Sequence, residues 1–155
     1  LQERHFLSGL LGGAATRKEV LEQDLGRRVP VLVKLAPDLE PDQLKTAVDV
    51  IVESGLDGII ATNTTIGRGG VDGHPAASET GGLSGAALSE ISTEILAAIC
   101  THLEGALPVI GVGGIMGAKE AQEKLDAGAT LVQVYTGLIY AGPGLVKEIL
   151  GAIDH

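Results

Sequence analysis

The sequence repeats one pattern four times: a short run of β-branched and apolar residues, a break at Gly or Pro, and a stretch with apolar residues at helical spacing. Val29-Pro30-Val31-Leu32-Val33-Lys34-Leu35 is the first such run. Its proline is acceptable at the start of a strand, where no ladder hydrogen bond is lost. Ala36-Pro37-Asp38 breaks it, and Pro41 suits a first helical turn. Over residues 42–53, Leu44, Ala47, Val48 and Ile51 recur every three or four positions, and Gly55 closes the helix. Asp57-Gly58-Ile59-Ile60-Ala61-Thr62 predicts a second strand, with a helix over residues 86–102 carrying Leu88, Ile91, Ile95 and Ile99. Pro108-Val109-Ile110-Gly111 predicts a third strand, with a helix over 118–126 ending at Gly128. Leu131-Val132-Gln133-Val134-Tyr135 predicts a fourth, with a last helix over 144–153. A further helix is expected over residues 7–25, interrupted near Gly12-Gly13.

Strands that alternate with helices across short turns pair in parallel through crossover helices. Composition agrees. Aromatic residues make up only 2% of the chain while 45% is hydrophobic, so Val, Ile, Leu and Ala must fill the core, as they do in strands buried on both faces. Periodicity alone leaves two α/β architectures open, an open doubly wound sheet and half of a barrel. Residues 63–84 separate them. This connection of about twenty residues follows a strand's C-terminal end and is rich in glycine. Barrels build their active sites on the loops that follow strands, so the segment is expected to serve a site, with a small hairpin of its own.

A net charge of −9 excludes a nucleic-acid binder, which needs a basic stripe to displace counterions, and offers no polybasic membrane anchor. No run approaches the ~18 apolar residues of a membrane span, and no signal peptide is read. The chain opens at Leu1-Gln2-Glu3-Arg4 without a start signal. Cys100, the sole cysteine, cannot form an intrachain disulfide and is expected to be a buried, inert thiol. His5, His74, His102 and His155 lack metal-ligand spacing and are expected at the surface. Asp38, Glu40 and Asp42 read as turn and first-turn acids.

Four strand ends carry polar or glycine signals. Lys34 closes an apolar strand, and a lysine aimed into a barrel needs an anion or an electron-rich ring, unless it forms a salt bridge at the rim. Thr62-Asn63-Thr64-Thr65 offers four small hydrogen-bonding side chains that can fix an imide or carboxylate, though any one of them suits a turn. Ile110-Gly111-Val112-Gly113-Gly114 ends in a glycine turn whose N–H groups suit phosphate. It does not match the dinucleotide fingerprint, because Met116 occupies the third glycine position and no acid ends the next strand. Tyr135-Thr136-Gly137 adds hydroxyl and N–H donors beside it. A phosphorylated cofactor is the inference.

These motifs, taken in order, resemble the quinone-linked, membrane-associated dihydroorotate dehydrogenases. The resemblance runs through Val31 to Leu39, Thr62-Asn63-Thr64-Thr65, Glu79-Thr80-Gly81-Gly82-Leu83-Ser84-Gly85, Pro108 to Gly114, and Leu131 to Thr136 with Gly142-Pro143, which is nearly all of the chain. The soluble class is similar at the glycines but usually lacks the Thr-Asn-Thr-Thr run and the Tyr-Thr-Gly-Leu-Ile-Tyr ending. The resemblance implies the C-terminal half of a (β/α)8 TIM barrel, strands 5 to 8, forming one partial FMN-binding domain over residues 1–155. It implies that Lys34, Thr62, Gly85, Gly114, Tyr135 and Thr136 hold FMN, the last three near its phosphate, and that Asn63 and Thr64 bind dihydroorotate or orotate. Lys34 would face the flavin's pyrimidine edge. The implied reaction, a step of pyrimidine biosynthesis, takes a C5 proton to a base and the C6 hydride to the flavin, which quinone reoxidises. The base is a serine expected upstream of Leu1, and Ser8 is not in its motif. No catalytic residue and no metal is therefore assigned here, and the chain alone is expected to be inactive. Membrane contact would come from N-terminal helices outside this chain, on the cytoplasmic face of a bacterial inner membrane or alternatively at the mitochondrial inner membrane. The competing reading is a non-catalytic half-barrel that binds phosphate or FMN.

Overall fold

A computed structural model describes residues 4–153; residues 1–3, with the chain's opening, and His155 lie outside the described residues. Six helices and four strands run in the order α1 (Arg4–Leu25), β1 (Leu32–Leu35), α2 (Pro41–Glu53), β2 (Gly58–Ala61), α3 (Ser89–Leu103), β3 (Val109–Val112), α4 (Ala118–Asp126), β4 (Leu131–Gln133), α5 (Thr136–Ala141) and α6 (Gly144–Ala152). All strand pairs are parallel and the order across the sheet is β1-β2-β3-β4. A doubly wound sheet reverses its strand order at a switch point. This one shows no reversal among the described residues, which favours the half-barrel of the two architectures that periodicity left open.

Sequential order puts every crossover helix on one face of the sheet. Val33, Leu35, Ile59, Ala61 and Val109 turn toward that face and pack with Leu44, Ala47, Val48 and Ile51 of α2 and Leu96 and Ile99 of α3. Ile51, Ile59, Leu96 and Ile99 are wholly excluded from solvent, each such side chain stabilising the fold by about 2–3 kcal/mol. A second cluster joins Ile115, Ala121 of α4, and Leu145 and Ile149 of α6 to Val132. The other face presents the register row Lys34, Ile60, Ile110 and Leu131, and Leu131 is 60% exposed. Among the described residues, β1 and β4 each have one unpaired edge.

Several boundaries differ from the sequence expectation for reasons visible in the hydrogen bonds. The helix expected to break near Gly12-Gly13 is continuous from Arg4 to Leu25. Two glycines cost about 2 kcal/mol of helix propensity, but Leu7 and Leu11 bury against α2, and Thr16 Oγ1 donates to the Gly12 carbonyl at 3.0 Å. β1 begins at Leu32 rather than Val29, because the Val29 and Val31 amides donate to Glu22 Oε1 (2.9 Å) and Asp57 Oδ2 (2.8 Å) instead of to a ladder. β3 runs one residue later than expected, and residues 86–88 form a 3-10 turn ahead of α3. β4 stops at Gln133 because Tyr135 (φ −136°, ψ −80°) leaves the extended region to start α5, a helix the sequence pattern missed.

Asp57 fastens the end of the sheet where the strands begin. Its carboxylate takes Lys18 of α1 at 2.6 Å, Arg28 at 2.5 Å and the Val31 amide, while only 6% of its side chain is exposed. Burial alone would raise its pKa; the hydrogen bonds from Lys18, Val31 and Arg28 outweigh that and hold the carboxyl well below its ordinary 3.8.

At the opposite end, the loop of residues 63–84 is organised by Arg68. Nε donates to Ala77 O (3.0 Å), Nη1 to Ile66 O (3.0 Å) and Gly67 O (3.1 Å), and Nη2 to Glu79 O and Gly81 O (both 2.8 Å). All five guanidinium N–H groups are spent on backbone carbonyls. One antiparallel bridge, Thr65 with Leu83, stands where a small hairpin was expected. Asp38 corrects its reading as a mere turn acid: it accepts from Thr65 Oγ1 and from the Ile66 amide (3.2 Å), tying the loop to the end of β1. Glu40 caps α2, its amide donating to Gln43 Oε1 at 3.2 Å. Cys100 is half-buried rather than buried, and burial pushes its thiol pKa up.

Two outcomes follow from these clamps. Asp57→Asn lowers the unfolding free energy by about 3 kcal/mol at neutral pH, read from urea denaturation. Because the folded pKa is depressed, the wild-type advantage is complete above the unfolded value of 3.8 and shrinks as pH falls below it. Arg68→Ala speeds amide exchange across residues 63–84 by about tenfold or more, while the thermal midpoint moves little, since the loop lies outside both apolar clusters.

Candidate functional site

Parallel strands in sequential order bring all their C-terminal ends to one rim. There a cleft of ≈ 260 Å³ is lined by Lys34 of β1, Thr62, Asn63 and Thr64 after β2, Ser84 and Gly85 from the end of the loop, Val112 at the end of β3 with Gly113 to Ile115 beyond it, and Gln133 at the end of β4 with Tyr135, Thr136 and Gly137 beyond it. All eight residues singled out from the sequence, namely Lys34, Thr62, Asn63, Thr64, Gly85, Gly114, Tyr135 and Thr136, therefore border one space.

Lys34 lies on the face of the sheet that the helices leave uncovered. Among the described residues it has no ion-pair or hydrogen-bond partner, so the rim salt bridge considered from sequence is absent. Its ammonium is available to an anion or to electron density in the cleft. Thr62 is 2% exposed and threaded into the sheet end: its amide donates to Val112 O at 2.9 Å and its hydroxyl to Asn63 O at 2.9 Å. The Asn63 amide donates to Leu35 O at 2.7 Å, which holds the residue at the rim with its side chain exposed. Thr64 packs on Gly82, where a Cβ would lie 1.9 Å from Thr64 Oγ1; the loop can return beside this strand end only without a side chain at 82.

The glycine turn after β3 is the most constrained element. Gly114 has φ +72°, and a Cβ there would fall 2.2 Å from Ser89 Cα and 2.3 Å from Ser89 N. Backbone is thus pressed against backbone at the start of α3, an approach open only to glycine. Among the described residues the Gly114 amide, though buried, has no hydrogen-bond partner, and a buried orphan donor is costly unless a ligand or water meets it. Across the cleft, Thr136 Oγ1 donates to Ser84 Oγ at 3.0 Å and its methyl lies against Gly85, so the β4–α5 turn and the end of the long loop support one another. Tyr135 is 72% exposed at this border.

The donor set comprises one unpaired ammonium, a row of neutral hydroxyl and amide groups, and a glycine turn with a free N–H. That set fits a planar polar ring carrying a phosphate, the cation answering the ring and the turn answering the phosphate. Among the described residues no group of three or more His, Cys, Asp or Glu could hold a metal ion, and the surface reading of the histidines holds for His102, which pairs with Asp49 at 2.7 Å.

Sequence reasoning overlooked Lys124 of α4, which is wholly buried behind the glycine turn. It overlooked Arg68 as well. Lys124 lies among apolar Ala121, Leu125 and Ala129, a context that could have drawn attention. Nothing in the composition around Arg68 announces its five carbonyl acceptors.

The profile of the family described as dihydroorotate dehydrogenase matches residues 4–155. A dihydroorotate dehydrogenase (quinone) of Thiobacillus denitrificans is 49% identical over 148 residues, 96% of this chain and 44% of that protein. One from Anaeromyxobacter dehalogenans is 51% identical over 149 residues, 96% and 40% respectively. The crystal structure of DHODH from Eimeria tenella in complex with ferulenol superposes with a TM-score of 0.89 at 35% identity, covering 96% of this chain and 43% of that one. The chain thus spans less than half the length of the relatives it matches. Within those bounds, the chain belongs to the dihydroorotate dehydrogenase family.

Proposed function

We propose that this chain is the C-terminal half, strands 5 to 8, of a (β/α)8 barrel that oxidises dihydroorotate to orotate, with FMN as hydride acceptor and quinone as the final electron acceptor, in pyrimidine biosynthesis. The observation that carries this reading is the convergence of Lys34, Asn63, Gly114 and Tyr135 on one cleft. The uncovered sheet face and two unpaired edges support the barrel: four more strands would cover the one and pair the other.

Within the cleft, Gly114, Tyr135 and Thr136 would hold the FMN phosphate, with the unpartnered Gly114 amide as a donor for it. Gly85 and Thr62 would seat the ring, and Lys34 would answer its pyrimidine edge. When bound, FMN supplies the two-electron acceptor for the C6 hydride of the substrate. Lys34, with no carboxylate partner among the described residues, would stabilise negative charge gained by the ring. Asn63 and Thr64 orient dihydroorotate with neutral hydrogen bonds, adding no charge that would compete with Lys34. The C5 proton goes to a serine outside this chain. No described helix is long and apolar enough to cross a membrane. Membrane contact and quinone access belong to segments outside the chain, at the cytoplasmic face of a bacterial inner membrane or at the mitochondrial inner membrane.

The test is made on the protein encoded by a complete reading frame that contains this chain. It purifies yellow, and dihydroorotate bleaches the flavin, which added quinone restores. Absence of flavin overturns the reading; bound flavin that dihydroorotate does not reduce supports a non-catalytic flavin-binding barrel instead. Lys34→Ala slows flavin reduction by about 100-fold. Asn63→Ala raises KM for dihydroorotate by about tenfold or more, the equivalent of one lost hydrogen bond. Gly114→Ala loses flavin on gel filtration, because its Cβ would meet Ser89 Cα at 2.2 Å.

A further inference from the structure

Lys124 is 0% exposed, yet all three hydrogen bonds of its Nζ run to uncharged acceptors: Ser89 O at 3.0 Å, Ser92 Oγ at 2.6 Å and Thr93 Oγ1. Among the described residues no carboxylate lies within ion-pair reach of it. A buried ammonium without a counter-charge costs several kcal/mol. A neutral polar residue could brace the same helix turn more cheaply. The three acceptors sit within the first five residues of α3, and the glycine turn rests on the start of that helix. Ser92 Oγ lies 2.9 Å from Gly113 O, a Cβ on Gly113 would meet Ser92 Oγ at 3.0 Å, and Gly114 touches the Ser89 backbone. One hydroxyl therefore separates the ammonium from the turn.

We infer that Lys124 is a positioning cation for the glycine turn, whose missing counter-charge is a phosphate dianion bound at Gly114, so that protonation of Lys124 and phosphate binding are linked. This rests on the flavin reading above. It assigns phosphate selectivity to a residue that does not line the cleft, acting through Ser92 and through the field in a water-poor region, where a charge is felt more strongly than in solvent.

The direction of the linkage follows from the surroundings. Burial lowers the Lys124 pKa from 10.5 to about 8, against a smaller rise from neighbouring Glu123, which is itself 3.4 Å from Lys119. On the elements packed against α4, Glu90 and Glu94 of α3 and Lys147 and Glu148 of α6 are exposed, and β3 and β4 carry no charged residue. Cys100 of α3 has its thiol pKa raised by burial. A phosphate monoester is largely dianionic above its second pKa of ≈ 6. Phosphate affinity is therefore full between about 6 and about 8, where the phosphate is dianionic and Lys124 charged, and falls as pH rises beyond about 8.

Binding of FMN and of riboflavin, which has the same ring and no phosphate, is measured by flavin fluorescence on the full-length protein between pH 7 and pH 9.5. In the wild type the FMN-to-riboflavin affinity ratio falls about fivefold over this range. Lys124→Met lowers the ratio at pH 7 and flattens its pH dependence while leaving riboflavin affinity within about twofold. Tyr135→Phe, carried in parallel, removes the phenol beside the turn and keeps the slope. A wild-type ratio constant with pH overturns the inference without any variant. So does a Lys124→Met protein in which both flavins weaken alike, the signature of a brace that only supports the fold. Failure of the wild type to bind either flavin at any pH overturns the flavin reading and this inference together.

Discussion

The strand order governs everything else in this molecule. With β1 to β4 neighbouring one another in sequence order and all parallel, each connection must return over the same face, and each strand must deliver its C-terminal end to the same side. Main-chain ladders, rather than any contact among the site residues, thus bring Lys34, Thr62, Gly114 and Tyr135 together from positions up to a hundred residues apart. The helices pack on one face because their apolar stripes have nowhere else to go. The opposite face keeps Lys34 in line with Ile60, Ile110 and Leu131, and the cleft borders that face.

The two ends of the sheet do different work. Where the strands begin, a charge cluster at Asp57 is closed on itself: Lys18, Arg28 and the Val31 amide satisfy its carboxylate, and nothing is left over for a ligand. Where they end, polar groups are left unmatched. Lys34 has no partner among the described residues, the Gly114 amide is orphaned, and Lys124 is buried against neutral acceptors. Fold stability favours satisfied groups, so unsatisfied ones gathered at one rim mark the place where a bound molecule completes the structure.

Much of this was legible in the residues. Alternation of β-branched runs with helical periodicity located four strands and five of the six helices, because in those segments local preference and tertiary packing agree. Lys34, the Thr-Asn-Thr-Thr run and the glycine turn stood out because each puts a polar or bare residue where an apolar strand ends. What was not legible depended on distant partners. Gly12 and Gly13 look like a break until Leu7 and Leu11 find α2. Tyr135 looks like a strand residue until its backbone turns into α5. Arg68 looks like an ordinary surface cation and Lys124 is marked only by its apolar neighbours, and only the fold shows that Lys124 is enclosed by Ser89, Ser92 and Thr93 and Arg68 by five carbonyls.

The central claim is spatial: one phosphorylated planar ring spans from the glycine turn to Lys34. A crystal structure of the full-length protein grown with FMN tests it most directly. The account predicts electron density for the phosphate within hydrogen-bond distance of the Gly114 amide and Thr136, with the ring's pyrimidine edge facing Lys34. Flavin density elsewhere on the molecule, or a phosphate held at Lys34 with the glycine turn empty, would contradict it.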